Sequence, residues 1–227
     1  MKETLRFLDE LAANNNRDWF AANRERYLCV KERTENLATR LIASLSEFEL
    51  SAAMLEARDC MYRIYRDTRF SADKTPYKRH IGIFINPFGG KKSQLAGYYL
   101  HLEPNNVFVG GGIWCPTAPV LKAVRRSIFD NVDEYIGILN SNNFRSHFNI
   151  VGEDFLKTAP KGFPKDWEHI DLLRPRSFTA LGKLPEDAVA FDDVVRAATE
   201  SFKALQPFNN FLNYVYEECP GLPRFFD

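Results

Sequence analysis

Between Arg63 and His80 the chain carries six basic side chains, Arg63, Arg66, Arg69, Lys74, Lys78 and Arg79, against two acids, Asp67 and Asp73. Arginine offers a planar fork of donors that matches carboxylate and phosphate, and lysine adds a point charge. Two carboxylates cannot neutralise six cations. Either acids from elsewhere in the chain pair with them or an external anion does. Phe70 and Tyr77 lie among these charges and can stack on a planar ligand. Pro76 restricts the backbone and lowers the entropy lost on ordering it.

This pattern points to recognition of a phosphorylated or carboxylated small molecule. The ligand-binding candidates are Arg63, Arg66, Arg69, Lys74, Tyr77 and Lys78. Trp19, Asn23 and Tyr27 join them, because their i, i+4, i+8 spacing puts them on one helical face. If the protein is an enzyme, Asp67 or Asp73 is the acid/base candidate and the arginines hold the anion. The blander alternatives are an aromatic stripe packed on the core and a loop closed by its own ion pairs. A further alternative is a non-catalytic domain docking an acidic protein or RNA.

Other chemistry has weaker support. His101 and Glu103 share a strand face and His80 stands near a neighbouring strand, a set of metal-ligand types without a metal-binding motif. No metal is expected, and no cofactor is indicated. Cys29, Cys60, Cys115 and Cys219 are far apart and form no C-x-x-C pair, so zinc and redox motifs are unsupported. Reduced thiols and the absence of a signal-like start predict a cytoplasmic protein. No apolar run approaches the length needed to span a bilayer.

The formal net charge is zero, from 30 basic and 30 acidic residues, so the rest of the chain is net acidic and repels polyanions. Nucleic acid is therefore a disfavoured partner.

The elements that must position these residues follow from period. Leu5, Leu8 and Leu11 recur at helical spacing after Thr4, a candidate N-cap, and Asn14–Asn16 stop that helix. Helical periodicity runs again from about Arg17 to Phe48. From Tyr62 to Arg66 the alternation predicts a short strand. Three more strands follow, Ile81–Ile85, Gly97–Glu103 and Val107–Trp114. The second sets Tyr99, His101 and Glu103 on one face. Short connections imply an antiparallel meander, which Gly110-Gly111-Gly112 ends.

Helices return at Thr117, with Pro119 in the first turn, and at Asn131-Val-Asp-Glu134, which has capping-box spacing. Residues 144–170 read as long loops. Ser177–Leu181 reads as one more strand, and a final helix from Phe191 to about Tyr216 should break or kink at Pro207. The predicted fold is a single α+β domain over 1–227. In it an antiparallel β-meander of four or more strands packs against N-terminal and C-terminal helices.

Several of these residues form a longer pattern. Asn15, Arg17, Trp19, Phe20, Asn23 and Tyr27 precede Arg66-Asp67-Thr68-Arg69-Phe70-Ser71, Asp73-Lys74 and Pro76-Tyr77-Lys78. Gly97-Tyr98-Tyr99, then Gly110-Gly111-Gly112 with Trp114 and Pro116, complete it, and the Leu172-Leu173 and Ser177-Phe178 region adds to it. In these the chain resembles the bacterial and fungal family catalogued as domain of unknown function 2461. The resemblance implies one domain and carries no catalytic residue or cofactor with it.

Overall fold

The computed structural model describes residues 1–184 and 191–216; Cys219 lies outside them. Helices α1 (Lys2–Ala13), α2 (Arg17–Ala22), α3 (Arg24–Ser46) and the short α4 (Ala57–Cys60) come first. Strands β1 (Ile81–Ile85), β2 (Gly97–Leu102) and β3 (Phe108–Ile113) follow. Next come α5 (Ala118–Asp130), α6 (Val132–Asn140), α7 (Asn142–His147), β4 (Ile150–Glu153), β5 (Ser177–Lys183) and α8 (Phe191–Asn213). All strand pairs are antiparallel, in the order β1-β2-β3-β5-β4. The α+β class with helices at both ends is as the periods predict.

Alternation along the strands gives the sheet two different faces. Ile83, Tyr98, Leu100, Val109, Phe178 and Ala180 are buried. Helix α8 packs on this side: the Phe202 ring is 5.3 Å from Tyr98, and the Asn209 amide donates to the Gly97 carbonyl at 3.0 Å. Helix α3 packs on α8, and α1 on α3. Phe7, Leu8, Leu11, Leu37, Leu41 and Leu45 are fully buried there, which explains the leucine spacing of α1 and α3.

Several local expectations differ from the structure. Helix α1 starts at Lys2, one turn early for a Thr4 cap, and Thr4 is buried instead. Residues 62–66 form no strand. Isolated bridges join Met61 to Ile83 and Tyr65 to Tyr77, and Pro76 brings no N–H to extend the second into a ladder. Gly110–Gly112 lie inside β3, which goes on to pair with β5. Gly112 has φ +95°, and a Cβ there would strike the Phe178 carbonyl, so close backbone packing explains the run.

Asn131 occupies the N-cap position of α6, but its amide donates back to the Ser127 carbonyl at 3.1 Å. Residues predicted as loop contain β4, a four-residue edge strand with an irregularity between Val151 and Glu153. Pro207 lies inside α8 and does not end it. Pro207 and Lys203 are both exposed, so water can satisfy the carbonyl that the missing N–H leaves free.

Candidate functional site

The basic stretch is built on a clamp. Asn15, at the α1–α2 junction, donates its amide to the Tyr77 carbonyl at 2.9 Å and accepts from the Tyr77 N–H at 3.1 Å. The Tyr77 ring stacks on Phe20 with centroids 4.0 Å apart. Arg66 N–H donates to the Pro76 carbonyl at 2.9 Å and Lys78 N–H to the Ile64 carbonyl at 2.8 Å. These bonds draw residues 64–66 and 76–78 together and leave 67–75 as the connecting loop.

Most charges in that loop are matched from within it. The Arg66 guanidinium donates to the Asp73 carboxylate, the Thr75 hydroxyl and, at 3.3 Å, the Ser71 hydroxyl. Arg69 grips Asp67 at two points, Nε to Oδ1 at 3.0 Å and Nη2 to Oδ2 at 2.7 Å. Lys74 Nζ donates to the Thr68 carbonyl at 2.9 Å.

Hydrogen bonds from the Arg69 side chain and backbone hold the Asp67 carboxyl at about 2. Those from Thr75 N–H, Arg66 and the Thr75 hydroxyl do the same for Asp73. Carboxylates that weakly basic are poor proton acceptors at neutral pH. Arg63 and Arg79 are exposed.

The helical candidates serve the core. Tyr27 packs on Phe20 with centroids 4.9 Å apart, and Trp19 on Phe7 at 5.7 Å. Asn23 is the junction residue between α2 and α3; its amide donates to the Trp19 carbonyl at 2.9 Å and its oxygen accepts from Arg26 at 3.1 Å. Arg26 in turn bridges Glu10 at 2.6 Å and Glu3 at 3.3 Å.

A different concavity lies on the sheet face turned away from α8. It has a volume of about 720 Å³. Phe84, Tyr99, His101, Phe108, Thr179 and Leu181 form its floor, projecting from β1, β2, β3 and β5. Tyr62, Lys78, His80, Lys91, Trp114 and Glu153 stand around it. Of the nine ligand-binding candidates, Lys78 lines this cavity; the other eight, and Asp67 and Asp73, are outside its lining.

The Lys78 ammonium is half-buried, 5.3 Å from the centre of the Tyr62 ring. Burial, and then repulsion from Arg63, lower its pKa, with no carboxylate among the described residues acting on it. Lys91 is held by the Arg58 carbonyl. Glu153 accepts from the Thr179 hydroxyl at 3.1 Å.

Tyr99 and His101 on the floor begin a chain of polar groups that ends at Glu103, outside the cavity lining. Tyr99 Oη is 2.9 Å from His101 Nδ1, and His101 Nε2 is 3.4 Å from Glu103 Oε2. The His101 ring is stacked between His80, at 4.6 Å, and Phe108, at 4.5 Å. Burial, followed by repulsion from His101 and Lys78, pushes His80 down to about 4. Burial also lowers His101, against the pull of Glu103. Among the described residues no group of three or more His, Cys, Asp or Glu stands in position to hold a metal ion. Nor is any described helix long and apolar enough to cross a membrane.

Among known proteins, the family model described as "Conserved hypothetical protein (DUF2461)" matches residues 3–211. The chain belongs to the DUF2461 family. No curated protein and no solved structure matches it. In this DUF2461 chain the residues around the cavity were only partly visible in advance. The alternation of β2 placed Tyr99, His101 and Glu103 together. Glu153 was hidden, because β4 is short and irregular. Trp114 stood only in the family pattern, and Tyr62, Phe84 and Thr179 carried no motif at all.

Proposed function

We propose that the protein binds an anionic small molecule, carboxylated or phosphorylated, in the sheet-face cavity, with Lys78 holding the anion. One observation carries this reading: a half-buried ammonium with no carboxylate among the described residues acting on it borders a cavity of about 720 Å³. That volume lies in the range of small-molecule sites, and an apolar floor with a few placed polar groups is their usual make-up. Phe84, Phe108 and Leu181 on the floor, with Tyr62 and Trp114 around it, favour a ligand with a flat apolar body. Arg66, Arg69 and Lys74 act as scaffold for the loop that delivers Lys78. Free thiols at Cys29, Cys60 and Cys115 favour a reducing compartment, the cytoplasm.

A thermal-shift screen with aryl carboxylates, aryl phosphates and nucleotides tests the reading, using Lys78→Met to keep the aliphatic stem and remove the charge. The expected result is a ligand-dependent rise in Tm that Lys78→Met abolishes. No shift with any of these anions, or equal shifts in the variant, overturns it.

A further inference from the structure

Tyr99 and His101, on the cavity floor, stand in series with Glu103, which follows the end of β2 and lies outside the cavity lining. Glu103 is pushed up by burial, but hydrogen bonds from Asn106 and His101 outweigh that and leave its carboxyl below the usual range. An ionised carboxylate only accepts hydrogen bonds. His101 Nε2, 3.4 Å away, therefore carries the proton, and Nδ1 is left with a lone pair. The Tyr99 hydroxyl, 2.9 Å from Nδ1, donates to it.

The arrangement is fixed on every side. His80 and Phe108 sandwich the imidazole at 4.6 and 4.5 Å. Asn106 Nδ2 donates to Glu103 Oε2 at 3.0 Å. The Tyr99 hydroxyl lies over Gly82, where a Cβ would come within 2.7 Å of Oη. Tyr99 and His101 both line the cavity. A proton carrier, a base beside it and a carboxylate orienting that base is the general logic of a catalytic triad.

We propose that Tyr99, His101 and Glu103 form an acid/base relay that removes a proton from a hydroxyl of the bound ligand. This rests on the cavity being the ligand site. The ligand O–H bond breaks and its proton bonds to Tyr99 Oη. The proton already on Tyr99 passes to His101 Nδ1. The ligand becomes an oxyanion facing Lys78, and His101 becomes an imidazolium facing Glu103. Tyr99 is the catalytic residue, in contact with the ligand; His101 and Glu103 act through it and position the relay. The charged and titratable groups facing His101 are Glu103, which favours the imidazolium, the Tyr99 hydroxyl hydrogen-bonded to Nδ1, and His80, stacked on the ring, which opposes the imidazolium when it is itself charged. Burial lowers His101, so it rests neutral at pH 7, ready to accept.

The probe is p-nitrophenol, whose neutral and ionised forms absorb differently, used at a pH below its own pKa. Absorbance reads the state of the bound probe, and nitrogen NMR of labelled His101 reads the imidazole. In the wild type the bound probe should be the phenolate and His101 doubly protonated. Tyr99→Phe, which keeps the ring, and Glu103→Gln, remote from the ligand, should each bind the probe but lower its ionised fraction about tenfold, with His101 neutral. A neutral His101 in the wild-type complex overturns the relay alone, and needs no variant to be seen. Protonation of His101 that persists in Tyr99→Phe also overturns it. A wild-type protein that does not bind the probe at all removes the ligand reading and the relay together.

Discussion

The clamp between Asn15 and Tyr77 gives the sharpest stability test. Replacing Asn15 by Ala removes a donor 2.9 Å from the Tyr77 carbonyl and an acceptor 3.1 Å from its N–H. Tyr77 is 5% exposed, so water reaches neither group readily. Each bond is worth about 1 kcal/mol net, and an orphaned backbone group costs at least that much. The expected loss is about 2 kcal/mol, which for a chain of this size lowers Tm by about 4–8 °C.

Urea unfolding at pH 7 checks it through the midpoint, with the m-value unchanged. Asn15→Asp sharpens the test. It keeps the acceptor for the Tyr77 N–H but sets a carboxylate oxygen against the Tyr77 carbonyl. At neutral pH it should be no better than Ala; in acid, once the carboxyl can donate, it should recover part of the loss. A fall below about 0.5 kcal/mol for Asn15→Ala, within the range of an ordinary surface substitution, would refute the clamp.

Three further outcomes follow from the same geometry. His80, at about 4 against an ordinary 6.5, resists a proton that the unfolded chain accepts. Stability should therefore fall as pH drops from 6.5 towards 4, by at most about 3 kcal/mol, and His80→Gln should flatten that slope in urea titrations run across the window. Cys60 is buried, and burial pushes its thiol up to about 12. Under native conditions a thiol reagent should modify the exposed Cys29 and Cys115 and spare Cys60 until the protein unfolds, as peptide mass spectrometry would show. Arg125 donates Nε to the Leu173 carbonyl at 2.8 Å and Nη2 to the Pro175 carbonyl at 2.9 Å. Lysine cannot make both bonds, so Arg125→Lys should cost about 2 kcal/mol in the same unfolding assay.

The two-faced sheet was legible because strand alternation is a local property of sequence. Tyr98, Leu100 and Leu102 had to face one way and Tyr99, His101 and Glu103 the other. The loop was legible as a concentration of charge, but not as a set of partners. Arg69 turns back on Asp67, two residues away, and Arg66 reaches Asp73 across the bend. The same residue types in an open loop would face a ligand. Whether they do depends on where Asn15, 62 residues from Tyr77 along the chain, holds the backbone. The Trp19–Asn23–Tyr27 spacing was legible as one face: Trp19 and Tyr27 both pack on Phe7, with centroids 5.7 and 6.1 Å apart, although Asn23 is the joint between α2 and α3.

The loop and the cavity are joined by one step of backbone. Tyr77 sits in a β-bridge, where successive side chains point to opposite sides. Its ring is drawn down onto Phe20, so the next side chain, Lys78, is turned over Tyr62 towards the cavity. His80, two residues further on, comes to the same side and stacks on His101. The cations at Arg66, Arg69 and Lys74 are consumed in fixing the bend that makes this alternation possible. The charge surplus read from the sequence therefore divides: Arg66, Arg69 and Lys74 close the loop, Lys78 presents its ammonium half-dry to the open face of the sheet, and Arg63 and Arg79 stand exposed.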